Sequence, residues 1–409
     1  MNPKSRPIRG TVILCLLWPV IPQVTAASAP EVGSPPTASP TTTTLPPLPA
    51  PMDVPKPGPA TDAPYAPQPI LPGGVVLTLF PPDSPYLNKE RIHEAEVYNM
   101  GAPGQIGSIV NIHNPSIEFH PGNRALNTGV AVILAAGGGH NTLNVGSEGA
   151  DFVPFFSNYG VNTVILRNRL RRDGYNPKTD EVYDAQQAIK LVRAHATEWN
   201  LDPNKIGIMG FSAGAELAAP AAIAWAEFDR KNNVPENPLA GVSSRPDFVG
   251  IIYPGPSPFA AGRGGAPISP PPIPRDTPPS FITCAGWGDR GHAVWANEWF
   301  TAMLNAGIPN VEMHIYARGH HPGDRVGPHE PPSTGGLTDR GFIAYGSWPA
   351  RFIDWFRDLG FLDKPGVETQ AARDVAANLN RPERGRAGAG RRGGAGADGG
   401  PGAPASANK

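Results

Sequence analysis

The stretch Ile206-Gly207-Ile208-Met209-Gly210-Phe211-Ser212-Ala213-Gly214-Ala215-Glu216-Leu217-Ala218-Ala219 decides how this chain is read. An apolar run ends at Gly210, a serine stands between two glycines, and an alanine-rich segment of helical character follows. That is a strand, a sharp turn and a helix, with Ser212 at the tip. Gly-x-Ser-x-Gly in this setting presents its serine as a nucleophile on a strained turn. A Cβ at Gly210 or Gly214 would collide with the neighbouring strand or helix, so glycine is expected at both. Glycine-flanked serines also occur in ordinary loops. The pattern gains meaning only if the chain supplies a base, an acid and donors for an oxyanion.

Outward from this stretch the rhythm is strand then helix. Strands read at Val75–Phe80, Ile109–Ile112 with Ser116–Phe119 (a strand or hairpin region), Gly129–Ala135, Val161–Arg167, Lys205–Met209, Phe248–Tyr253, Phe281–Ala285 and Val311–Tyr316. Helices read at Asp180–Trp199, Ala213–Phe228, His292–Ala306 and Trp348–Leu359. In the first helix Val182, Ala185, Ile189, Val192 and Ala196 recur at helical spacing, and Asp180 is placed to cap its start. Such alternation predicts an α/β fold, a mostly parallel central sheet with helices on both faces.

The chain has 409 residues, with 52 prolines and 48 glycines concentrated toward its ends. Lys4, Arg6 and Arg9 precede an apolar run and then small residues, which describes a secretory signal peptide over residues 1–27. The run is short and broken by Pro19 and Pro22, which disfavours a membrane span. Residues 28–72 are Pro/Thr-rich and read as a disordered linker, and 366–409 as a disordered Gly/Ala/Arg-rich tail. The folded domain is expected over 73–365, about 290 residues and enough for one large core. A net charge of −1 carries no hint of a nucleic-acid partner. Cys15 would leave with the signal peptide, so Cys284 reads as a buried apolar residue with no disulfide partner.

A serine needs a base to take its proton. Ala317-Arg318-Gly319-His320-His321 follows the last strand, and Phe281–Ala285 runs into Gly286-Trp287-Gly288-Asp289. The order Ser212, Asp289, His320 places all three at the carboxyl ends of strands. His320 is preferred as base because Gly319 allows a tight approach; His321 is the second choice. Asp324 and Glu312 are weaker acids, one past the base and one inside the strand. The oxyanion donors are expected from Ala213, at the start of the helix, and from Gly138 and Gly139 in Ala135-Ala136-Gly137-Gly138-Gly139-His140. No phosphate-binding pattern accompanies those glycines. His140 and His292 border the expected cleft as substrate-contact candidates, with packing as their ordinary alternative. His320, His321 and His329 lie in a Pro-Gly loop without a ligand-holding helix, so no metal is expected.

Ala136-Gly137-Gly138-Gly139-His140 with Glu148-Gly149 downstream resembles the Pro-Gly-Gly-Gly-Tyr and Glu-Gly pattern of secreted bacterial carbohydrate esterases. Ile206–Gly214, Phe281–Asp289 and Glu312–His320 resemble the rest of it. These are α/β-hydrolases similar to acetyl xylan esterases and the feruloyl-esterase-like group, and the likeness runs from about Val75 to Leu362. The resemblance implies serine-dependent hydrolysis of an acyl ester on a polysaccharide, without a cofactor, by a secreted or periplasmic protein, and adds Glu148 to the substrate-contact candidates. Ala136, His140 and Ala215 depart from the family pattern, and Pro322–Gly346 is longer than in relatives. That loop and Pro254–Pro279 are where substrate identity is expected to reside. The rival readings are a general carboxylesterase or peptidase of this fold, and a non-catalytic polysaccharide-binding module.

Overall fold

Two strands without a single exposed residue set the frame. In a computed structural model, β5 (Ala131–Ala135) and β7 (Ile206–Phe211) lie side by side in parallel register, Ala131 opposite Ile206 and Ala135 opposite Gly210. Residues covered on both faces are what a central parallel sheet requires. The structure describes residues 62–382, apart from 102–103, 236, 260–269, 325, 327, 329, 331–336 and 338–340. The expected signal peptide, most of the linker, His329 and much of the two expected substrate loops lie outside the described residues.

The remaining strands are β1 (Val75–Thr78), β4 (Ser116–His120), β6 (Asn162–Arg167), β8 (Val249–Ile252), β9 (Ser280–Trp287) and β10 (Glu312–Arg318). With β5 and β7 they form one eight-stranded sheet ordered β1-β4-β6-β5-β7-β8-β9-β10. The pairs β1–β4 and β4–β6 are antiparallel; every pair from β6 onward is parallel. β2 (Val97–Met100) and β3 (Ile106–Val110) form a separate two-stranded ribbon. The expected pairing of the segments around Ile109 and Ser116 is therefore absent: β3 joins β2, and β4 joins the large sheet.

The helices are α1 (Phe152–Ser157), α2 (Asp180–Ala194), α3 (Ala215–Asn232), α4 (Arg290–Asn305), α5 (Trp348–Asp358) and α6 (Gln370–Leu379). Strand alternation sorts them by face. Gly210 abuts Gly214 and Ala215 at the start of α3, whereas its neighbour Phe211 packs on Phe152 of α1 and Trp348 of α5. Thus α3 covers one face while α1 and α5 cover the other. Asp180 does not cap α2; the cap position is Thr179, and the Asp180 carboxylate accepts the Asn176 amide instead.

Both expected domain limits move outward. Glu118, fully buried in β4, accepts the amides of Ile70 and Leu71 at 2.8 and 3.0 Å. Arg167 donates to the Gln68 carbonyl at 2.6 Å, so the chain before residue 73 is part of the fold. At the other end, α6 buries Ala371 and Val375, so the folded chain continues beyond residue 365. Cys284 is buried in β9, where desolvation pushes its thiol up to about 12.

Candidate active site

Four parallel strands, β5, β7, β9 and β10, deliver the site, all from their carboxyl ends, where an α/β sheet opens its ligand crevice. β7 runs directly into Ser212, whose φ of 52° lies in the left-handed region that a side chain rarely enters. A Cβ on Gly210 would overlap the Gly214 carbonyl, and one on Gly214 would overlap the Ala135 carbonyl of β5. The two flanking glycines are thus set by close backbone packing. Ser212–Gly214 form a tight helical turn that leads into α3.

The Ser212 hydroxyl meets an imidazole at once: Oγ lies 2.9 Å from Nε2 of His321. His320, the expected base, is elsewhere. Its Nε2 is 2.8 Å from Glu330 Oε2, and its ring packs edge-on against Phe342. The cause is chain phase. β10 ends at Arg318, and Gly319, at φ 153°, carries the backbone so close to β9 that a Cβ would stand 2.7 Å from that of Ala285. Successive side chains of extended backbone point to opposite sides. His320 turns under the Gly288 loop, and His321 turns to Ser212.

Asp289 follows β9 as expected and is almost fully buried. Its Oδ1 accepts from His292 Nδ1, while its Oδ2 faces His321 Nδ1 at 3.5 Å, an ion-pair separation rather than a hydrogen bond. Burial pushes the Asp289 carboxyl up, but the imidazoles of His292 and His321 outweigh it and hold it below the ordinary value. The rings of His292 and His321 stack, centroids 3.7 Å apart and 6° from parallel, and Tyr253 meets His321 edge-on at 5.3 Å. His292 therefore leans on the acid rather than standing apart in the cleft.

The glycine loop after β5 crosses the elbow: a Cβ on Gly137 would stand 2.9 Å from that of Ser212. The Gly137 amide is committed to Glu148 Oε2 at 2.6 Å. Neither the Gly138 nor the Gly139 amide has a hydrogen-bond acceptor among the described residues. Gly138 is half-buried; Gly139 is exposed, its carbonyl held by Arg171 Nη2 at 3.0 Å. The Ala213 amide, buried in the first turn after Ser212, belongs to the donors a helix start leaves unpaired.

Two expected substrate contacts have other partners. Glu148 is buried under the loop, taking the Gly137 amide on one oxygen and the Tyr253 hydroxyl, at 2.7 Å, on the other. Burial raises its carboxyl to about 7, against the lowering effect of those two donors. His140, at φ 61°, is buried with Nδ1 2.8 Å from Glu181 and Nε2 3.6 Å from Glu216. Burial alone would lower its pKa, but the two carboxylates raise it to about 9, so it is a paired cation at neutral pH. The sequence carried no signal for Glu330, Tyr253, Glu181 or Glu216, because each is defined by its spatial partner.

Comparison with known proteins bears on the fold and on the resemblance to esterases. Residues 120–250 match the family model BD-FAE, a span that holds the glycine loop and Ser212 but ends before Asp289 and His321. A 92-residue segment is 34% identical to an acetylxylan esterase of Xylanibacter ruminicola, covering 22% of this chain and 18% of that protein. A 171-residue segment is 32% identical to endo-1,4-beta-xylanase B of Butyrivibrio fibrisolvens, covering 41% and 24%. The matches thus span less than a quarter of either curated relative. Esterase 2 of Thermogutta terrifontis, 18% identical, superposes with a TM-score of 0.51 over 72% of this chain and 97% of its own, which shows a shared fold. The chain is an α/β-hydrolase-fold protein that resembles the bacterial carbohydrate esterases.

Proposed function

We propose that this α/β-hydrolase-fold chain is an exported serine esterase that removes acyl groups, acetyl foremost, from saccharide or polysaccharide esters. The observation that carries the reading is the 2.9 Å approach of Ser212 Oγ to His321 Nε2 at a strained elbow. In the reaction, His321 Nε2 takes the hydroxyl proton as Oγ attacks the ester carbonyl carbon. The resulting oxyanion faces the amides of Ala213 and Gly138. The protonated imidazole then gives its proton to the departing sugar oxygen, leaving an acyl-serine. Water, deprotonated by the same nitrogen, attacks that acyl carbon; the bond to Ser212 Oγ then breaks, Oγ takes the proton back from the imidazolium, and the acid is released. Asp289 stabilises the imidazolium from the Nδ1 side. Its 3.5 Å separation is typical of a substrate-free site, where catalytic hydrogen bonds run long and tighten in the complex.

The remaining polar groups support the loop rather than the substrate. Glu148 fixes Gly137, and with it the direction of the Gly138 amide; His140 locks the far end of the same loop to α2 and α3. Acetyl esters on saccharides are favoured because a 92-residue segment matches an acetylxylan esterase and the glycine loop and elbow motifs resemble those of carbohydrate esterases. Export rests on the signal-peptide pattern of residues 1–27 and the Pro/Thr-rich segment after it. Among the described residues no helix is long and apolar enough to cross a membrane.

The test is labelling with a fluorophosphonate probe, which forms a bond to an activated serine, followed by hydrolysis of p-nitrophenyl acetate, acetylated xylan and a dipeptide anilide. The wild type should label and release acetate, and Ser212→Ala should do neither. A protein that binds xylan but never labels would refute the esterase reading. Cleavage of the anilide in preference to the esters would refute the substrate class.

A further inference from the structure

Asp289 occupies the cap position of α4, and its backbone carbonyl accepts the Ala293 amide at 3.1 Å. An aspartate at a helix start ordinarily turns its carboxylate onto the amides of the first turn, which have no partner within the helix. This one makes no such capping bond. Its Oδ1 instead accepts from His292 Nδ1, and its Oδ2 faces His321 Nδ1 at 3.5 Å. The side chain is almost fully buried, so protein donors must stand in for water around the charge. Among the described residues the two imidazoles are the groups that do so.

We infer that His292 is a positioning residue for the esterase site proposed above: it holds the Asp289 carboxylate off its own helix and turned toward His321. The inference rests on that reading. A carboxylate can rotate about the bond to its Cβ, and a charge-assisted N–H bond to Oδ1 fixes that rotation. With Oδ1 fixed, Oδ2 is left pointing at the base. The acid otherwise has two competing sets of donors, the open amides of α4 and the Nδ1 proton of His321. The bond to His292 decides between them.

Helix geometry supplies the bond. His292 lies on the first turn of α4, three residues after Asp289, and that spacing returns its ring to the carboxylate. The same ring stacks face to face on His321, centroids 3.7 Å apart, and Trp295 meets it edge-on at 5.1 Å. One side chain therefore bears on both members of the acid–base pair. Its hydrogen bond goes to Asp289, so it acts on Ser212 only through Asp289 and His321.

A purely structural role predicts that activity and stability fall together when His292 is removed. Positioning predicts that they part. Freed from His292, Asp289 can cap α4, a bond that stabilises a helix, while its alignment with His321 is lost. The experiment compares the full chain with His292→Ala, His292→Asn and His292→Phe. Asparagine carries an N–H donor close to where histidine has Nδ1, and phenylalanine keeps a stacking ring without the donor. The readouts are kcat and KM for p-nitrophenyl acetate, the rate of fluorophosphonate labelling, and thermal melting.

In His292→Ala, kcat should fall about 10- to 100-fold, part of the roughly 10⁴-fold that loss of a triad acid costs. Labelling should slow in step, KM should stay within about two-fold, and the melting temperature should hold or rise. His292→Asn should recover most of the rate, and His292→Phe should stay as slow as His292→Ala. Wild-type kcat and labelling in His292→Ala overturn the inference and leave the esterase reading intact. A lowered melting temperature with no recovery in His292→Asn also overturns it, as does recovery in His292→Phe alone, which would assign the effect to the stack. A wild type that never labels overturns the esterase reading and this inference with it.

Discussion

Replacing each of the two adjacent histidines in turn separates geometry from sequence pattern at a single peptide bond. His321→Ala removes the imidazole 2.9 Å from Ser212 Oγ. The stacked ring of His292 is committed to Asp289, and His320 is held by Glu330, so neither replaces it. Loss of a triad base costs on the order of 10⁴- to 10⁶-fold in kcat, which is about 5.5 to 8 kcal/mol of barrier. His320→Ala instead breaks a pair whose Glu330 partner is 33% exposed. Such an ion pair contributes about 0–1 kcal/mol to stability, so turnover should stay within a few-fold of wild type. The assay is hydrolysis of p-nitrophenyl acetate, with circular dichroism and thermal melting confirming that both variants fold. If His320→Ala is the inactive variant while His321→Ala keeps its rate, the assignment of the base from geometry is wrong.

Three further outcomes follow from the same contacts. Gly214→Ala drives a methyl into the Ala135 carbonyl, and backbone overlap of this kind costs about 3 kcal/mol or displaces the elbow; melting and labelling rate should fall together, and an unchanged melting point would contradict the packing. Glu148, raised from 4.5 to about 7 by burial, ionises first in the unfolded chain. Its contribution to stability is therefore full below pH 4.5 and falls by about 3 kcal/mol as pH rises to 7. Glu148→Gln should flatten urea-unfolding stability over that window, and retention of the wild-type slope would refute it. His140, raised from 6.5 to about 9, has the opposite sign of charge but the same direction: its pairing with Glu181 and Glu216 is fully present below pH 6.5 and lost as pH passes 9. His140→Gln should be less stable than wild type at pH 6 and converge on it above pH 9, as read by chemical denaturation.

The elements read most directly from the sequence were those whose residues fix their own conformation. β5, β7, β8 and β9 are largely apolar runs ended by glycine, proline or a polar turn, β10 alternates polar and apolar residues before Gly319, and all five appear close to where the pattern places them. α6 and the ordered segment before β1 were not legible. Glu118 and Arg167 fix Gln68–Leu71 through backbone groups, which leave no trace in side-chain pattern, and a ten-residue helix in an alanine-rich stretch resembles a tail.

The same division runs through the site. Sequence alone determined that Ser212 would stand on a strained turn, because only glycine at 210 and 214 lets two backbones approach so closely. It also determined that an acid and a histidine would leave the carboxyl ends of β9 and β10, because the fold puts parallel strand ends along one edge. Tertiary structure decided which histidine faces the serine, that Glu148 and His140 support the loop, and that His292 shares Asp289. Each of those is a matter of side-chain phase and spatial neighbours. One residue of extended backbone reverses the direction a side chain points, and no local pattern around Gly319 records where β10 stops being a strand.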